Sequence, residues 1–126
     1  MNNLFHSFWI ALCLSFLLLQ SFSVKAENFS YNGTSPKLVI DVRTAEEFAS
    51  GHIQGAINIP YDQIAEGIKA INGLKKDDSI LVYCRSGRRS ETAKQTLNNL
   101  GFQKVQNGGG METLTAKLKV CKEEAC

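Results

Sequence analysis

The residues best equipped for chemistry are Cys84-Arg85-Ser86-Gly87-Arg88-Arg89-Ser90, a cysteine followed closely by three arginines and a glycine. Cysteine is a nucleophile only as thiolate, and neighbouring positive charge favours thiolate over thiol. The same charges attract a small anionic substrate. Gly87 permits a backbone turn that aims successive amides inward, as an anion cradle needs. A cysteine in this setting reads as a nucleophile. The bland alternative is a small buried apolar side chain at a strand end. The three arginines and the glycine, packed into one loop, argue against it.

The flanking sequence places that loop. Ser79 to Tyr83 (SILVY) is an apolar, β-branched run that reads as a buried strand. Ser90 to Leu100 reads as a helix, with Ala93, Leu97 and Leu100 on its inner stripe and Gly101 as its stop. A strand-to-helix loop at the carboxyl end of a sheet strand is where open α/β folds bind ligands. It offers unpaired backbone N–H groups and the positive end of a helix dipole. Ser90 fits a helix cap, followed by Glu91 in the first turn.

The rest of the chain alternates in the same way. Leu38-Val39-Ile40 is a short buried strand, and Thr44-Ala45-Glu46-Glu47 spells a capping box opening a short helix that ends near Gly51. Ala56 to Ile59 is a second strand, stopped by Pro60. Ile64, Ile68 and Ile71 recur at helical spacing and predict about three turns ending at Asn72-Gly73. Lys104-Val105-Gln106 is a last strand, and Leu114 with Leu118 suggests a terminal helix. Glu27 to Pro36 is a polar lead-in. Strands separated by helical segments predict an α/β fold, a central parallel sheet with helices on both faces.

Composition narrows the function. With 44% hydrophobic and 21% charged residues the chain is globular, not disordered. A net charge of +2, interspersed and without a basic tract, gives no ground for nucleic-acid binding. Two histidines (His6, His52) and four cysteines (Cys13, Cys84, Cys121, Cys126) form no zinc-site spacing, so no metal is expected.

From Phe8 to Leu19 the chain reads FWIALCLSFLLL, followed by polar residues and Val24-Lys25-Ala26. The apolar core is shorter than the ~20 residues of a membrane span. The small or β-branched residues before a cut after Ala26 suit a secretory signal. Residues 1–26 are therefore expected to be a signal peptide, although no Lys or Arg precedes the apolar core; an uncleaved anchor from Leu4 to Val24 is the rival. Residues 27–126 are expected to form one domain, exported to the periplasm and monomeric.

Two blocks carry a family resemblance. LVIDVRTAEEFASGHIQGAINIP (Leu38 to Pro60) and ILVYCRSGRRSETAKQTLNNLGFQKVQNGGG (Ile80 to Gly110) together resemble the rhodanese family of sulfurtransferases, above all its small exported single-domain members. The resemblance implies a rhodanese-like fold and sulfur transfer without a cofactor. Cys84 would take the outer sulfur of a thiosulfate-like donor as a persulfide and pass it to cyanide or a thiol. Arg85 and Arg88 would attract and orient the donor, and Ser86 and Gly87 would supply amides. Related phosphatases use a C-x5-R loop, but here Cys84 plus six is Ser90; the nearest fit is C-x4-R, ending at Arg89, and the shorter loop goes with sulfur transfer. Arg89 either joins that cradle or points back to Asp41 as a structural ion pair. His52 lies in the Gly-His-Ile stretch and is expected to organise a turn, while Glu46 and Glu47 are expected to be capping and solvated residues. Gly108-Gly109-Gly110 would let the backbone pass close to the loop. The tryptophan that often follows those glycines is absent; Met111 to Leu114 stand there.

The tail, Cys121 to Cys126, lies beyond the resemblance. A disulfide between its two cysteines would need a turn after Val120, because five residues of helix rise ~7.5 Å and a disulfide needs Cα atoms within ~7 Å. The tail reads as a staple, or as a thiol that resolves or accepts a Cys84 persulfide. Two other functions remain to weigh: a thiol oxidoreductase or arsenate reductase using such a partner thiol, and a non-enzymatic rhodanese-like binding module, which the presence of Cys84 disfavours.

Overall fold

The computed structural model describes residues 30–116 and the backbone of Val120–Cys121. Four parallel strands form the sheet: β1 (Leu38–Asp41), β3 (Ile57–Asn58), β4 (Ser79–Cys84) and β5 (Lys104–Gly110), in the order β3-β1-β4-β5. A separate antiparallel pair joins β2 (His52–Ile53) to β6 (Val120–Cys121), with His52 opposite Cys121. The helices are α1 (Ala45–Ala49), α2 (Ile64–Gly67, flanked by 3-10 turns at Tyr61–Gln63 and Ile68–Ala70), α3 (Arg88–Asn99) and α4 (Met111–Thr115). Among the described residues no helix is long and apolar enough to cross a membrane.

The twofold alternation of strand side chains divides the core. Ile40, Ile80, Val82 and Cys84 face one side, where Ile64 and Ile68 of the α2 segment and Ala93 and Leu97 of α3 cover them. Val39 and Tyr83 face the other, against Ile53, Phe48 of α1 and Met111 and Leu114 of α4. Both faces are buried, which is why β4 is apolar almost throughout and why the sheet can be all-parallel. The tyrosine in that run is accommodated because its hydroxyl accepts the Ile53 N–H at 2.9 Å.

Several boundaries differ from expectation. The helix after the loop starts at Arg88, with Gly87 as its N-cap, so Ser90 is in the first turn and does not cap. The isoleucine-spaced helix breaks into 3-10 and α turns and stops at Ala70; Ile71 is extended. The second strand is only Ile57–Asn58, and β5 runs on through Gly110. Inside the polar lead-in, Tyr31 and Thr34 bridge around Asn32-Gly33, whose positive φ angles (49° and 75°) make the tight turn that Asn-Gly favours. The Thr44 capping box is present as read, with both reciprocal bonds made. Leu118, expected in a terminal helix, lies outside the described residues, as do the N-terminal segment and Cys126.

Candidate functional site: the Cys84 loop

β4 lies between β1 and β5 and delivers Cys84 to its carboxyl end. The register with β5 shifts between Val82 and Cys84, so that Cys84 stands opposite Gly110. The loop from Arg85 to Gly87 then turns back over the sulfur. Gly87 adopts φ 96°, a left-handed conformation that favours glycine, and its N–H donates to Cys84 Sγ at 2.9 Å. Ser90 Oγ lies 3.4 Å from the same sulfur. Cys84 is buried and free.

Burial pushes the Cys84 thiol up, but the Ser90 hydroxyl and the amides of Ser90, Ser86 and Gly87 together outweigh it. The result lies below the ordinary thiol value. Hydrogen bonds to the charged form are the cause, in line with a loop that presents N–H groups at a helix start. Arg85 and Arg88 are exposed at the mouth of this loop, and neither has a salt-bridge partner among the described residues.

Two sequence expectations need correction. Arg89 does not reach Asp41. It makes a paired contact with Glu47 of α1, Nη1 to Oε2 at 2.8 Å and Nη2 to Oε1 at 3.0 Å. Glu47 is thus more than a solvated capping residue: the same carboxylate accepts the Thr44 N–H and clamps α3 to α1. The Arg89 hydrogen bonds hold its carboxyl down to about 2. Asp41 is already occupied. It is fully buried and takes Arg43 Nε at 3.0 Å and Nη2 at 2.7 Å. Arg43 also donates to the Gly51 carbonyl, which ties the end of β1 to the end of α1. Asp41 therefore supports the site from beneath, through Arg43 and through Asn58, whose amide bonds the Asp41 and Arg43 carbonyls. The nearer arginine wins because it is two residues along the same strand exit.

The glycine run does approach the loop. A Cβ on Gly110 would sit 2.6 Å from the Arg85 carbonyl oxygen, and one on Gly87 would sit 3.3 Å from Gly109 Cα. In the stretch after the glycines, Leu114 is wholly buried against Tyr83 and Ile53 and so belongs to the core. His52 is structural in its contacts: Nδ1–H donates to the Phe48 carbonyl at 2.9 Å and the ring stacks on Phe48 at 3.7 Å. Asn107 was not anticipated. It stands on β5 beside the loop and contacts Ser90, Gly87, Gly109 and Glu91. Only its place in a strand leading to three glycines hinted at it.

A buried sulfur ringed by N–H and O–H donors, in a loop carrying two exposed cations, can act as a thiolate nucleophile toward a small anion. The known proteins agree with that architecture. The rhodanese-like domain family matches residues 26–117. Thiosulfate sulfurtransferase PspE of Escherichia coli is 43% identical over 75 residues, 60% of this chain and 71% of its own. The chloroplastic thiosulfate sulfurtransferase 16 of Arabidopsis thaliana is 38% identical, over 62% of this chain and 72% of its own. Among solved structures, a rhodanese with anions from E. coli superposes with a TM-score of 0.61 at 38% identity, over 68% of this chain and 96% of its own.

Proposed function

Because the chain belongs to the rhodanese-like domain family, we propose that it is a thiosulfate-type sulfurtransferase working through Cys84. The observation that carries this is the Cys84 sulfur held 2.9 Å from the Gly87 amide at the floor of an arginine-flanked loop. The Cys84 thiolate attacks the outer sulfur of thiosulfate, the sulfur–sulfur bond breaks with its electron pair, and sulfite leaves. The terminal sulfur stays on Cys84 as a persulfide, with the loop amides facing its negative charge. Cyanide or a thiolate then attacks that outer sulfur, and the Cys84 thiolate is regenerated. Arg85 and Arg88 draw in and orient the dianion; the related E. coli structure, a rhodanese with anions, supports an anion-binding loop. Arg89 is committed to Glu47 and so contributes positive field without contacting the donor.

In this reading residues 1–26 direct export to the periplasm, 27–126 act as a monomer, and Cys121 pairs with Cys126 there. The test is intact mass before and after thiosulfate, beside Cys84→Ser. One sulfur atom gained, lost to cyanide as thiocyanate and absent in the variant, is the expected result. No gain on a free, alkylatable Cys84 would reject thiosulfate as donor and favour thiol redox chemistry.

A further inference from the structure

Asn107 is a half-buried neighbour of the loop with every side-chain polar valence used. Its Nδ2 donates to the Gly87 carbonyl at 3.1 Å and to Glu91 Oε2 at 2.9 Å. Its Oδ1 accepts the Gly109 N–H at 2.9 Å and the Ser90 hydroxyl at 2.7 Å. Two donors and two acceptor positions are all an amide has, so these four partners fix which end is oxygen. The Gly87 and Glu91 bonds need the nitrogen, and Gly109 needs the oxygen.

Ser90 is fully buried, so its hydroxyl is sealed from bulk solvent. Three acceptors surround its oxygen: Asn107 Oδ1 at 2.7 Å, the Gly87 carbonyl at 3.0 Å and Cys84 Sγ at 3.4 Å. A hydroxyl has one proton to give. With Cys84 as a thiol, S–H can donate to Ser90 Oγ while the serine proton stays on Asn107. With Cys84 as a thiolate, sulfur becomes a competing acceptor, and a charged one. The groups that could otherwise set the charge on sulfur are Arg85, Arg88 and Arg89 from the loop and α3, Glu91 one turn along α3, and Glu47 and Asp41 from α1 and β1. β5 presents only the neutral Asn107 here.

We propose that Asn107 is a positioning residue that acts on Cys84 through Ser90: by holding the single serine proton it determines how strongly the serine hydroxyl supports the sulfur anion. This rests on Cys84 being the reacting thiol, but not on the identity of the donor.

The test is the pH dependence of iodoacetamide alkylation at Cys84, followed by peptide mass spectrometry on the full chain. The set is wild type, Ser90→Ala, Asn107→Leu and the double variant. Loss of a hydrogen bond to the thiolate should move the Ser90→Ala midpoint upward by about one pH unit. Asn107→Leu removes the nearest acceptor of the serine proton, leaves the charged sulfur to compete for it with the neutral Gly87 carbonyl alone, and moves the midpoint downward. In the Ser90→Ala background Asn107→Leu moves it no further, because the cycle isolates what passes between the two sites. A midpoint that rises in Asn107→Leu, or a shift that persists without Ser90, overturns the proposal. If Asn107→Leu does not fold, Asn107→Asp serves: its stronger acceptor raises the midpoint more with Ser90 present than with Ala at 90, and equal shifts in the two backgrounds overturn the proposal. These midpoints support the inference even in a protein that takes no sulfur from thiosulfate, so the two readings fail separately.

Discussion

Around Cys84, burial and hydrogen bonding pull in opposite directions, and short distances decide the contest. Burying an ionisable thiol without partners disfavours the anion. Here one amide at 2.9 Å and one hydroxyl at 3.4 Å, with further amides behind, reverse the balance. The thiolate form therefore persists to lower pH than for an ordinary cysteine. The arginines act differently, since Arg85 and Arg88 are exposed and act through water. Arg85→Ala or Arg88→Ala should each raise KM for thiosulfate about two- to fivefold, the scale of a solvated charge contact, with kcat nearly unchanged. Steady-state kinetics at low salt would check this, and the effect should shrink as salt is added. Gly87→Ala is a harsher change. Its φ of 96° is strained for any side chain and its Cβ would press on Gly109, so the variant should lose about 1–2 kcal/mol in chemical denaturation as well as activity.

At the scale of elements, the Glu47–Arg89 pair joins α1 to α3 across the mouth of the site. Glu47 titrates at about 2 when folded, against 4.5 as its ordinary value. A depressed carboxyl stabilises the fold above its unfolded value, and that contribution is lost as pH falls from there toward about 2. Glu47→Gln should therefore be less stable at neutral pH and lose less stability than wild type across that acid window; urea midpoints measured against pH would show it. What the sequence made legible here were the elements with local signals. The Thr44 capping box, the apolar run of β4 and the helix ending at Gly101 each carry their own chemistry in adjacent residues. β2 and β6 are two residues each and exist only because they pair with each other, which no local pattern records. Arg89's partner is not legible for the same reason: Glu47 and Arg89 are 42 residues apart, and the sequence offers Asp41 as an alternative carboxylate. Asn107 escaped because its role is defined wholly by what β5 is laid against. Cys84 and the loop were readable because nucleophile, charge and turn residue are contiguous.

In the molecule as a whole, the Asp41–Arg43 pair is the buried polar joint at which β1, β3 and α1 converge. Burial would push the Arg43 guanidinium down, but the Asp41 side chain beside it raises it overall, so Arg43 keeps its charge. Removing one member of a buried pair strands the other. Asp41→Ala should cost about 3–5 kcal/mol in equilibrium unfolding, while the folded fraction keeps most of its turnover. An Asp41→Ala protein of wild-type stability would show that Arg43 finds another partner.

Gly110 faces the Arg85 carbonyl so closely that the loop has its working shape only once β5 has docked beside β4. Cys84 and Gly110 come together only by strand pairing, so the sulfur has its reactive setting only when β5 lies beside β4. A newly made or unfolded chain carries an ordinary thiol, slow to attack and slow to be oxidised. The protein is thus disarmed until it has matured. Alkylation of Cys84 at neutral pH should fall in denaturant to the rate of a free cysteine, and should return on refolding together with the near-ultraviolet signal of the buried Tyr83. Reactivity of one sulfur atom would then serve as a clock for completion of the fold.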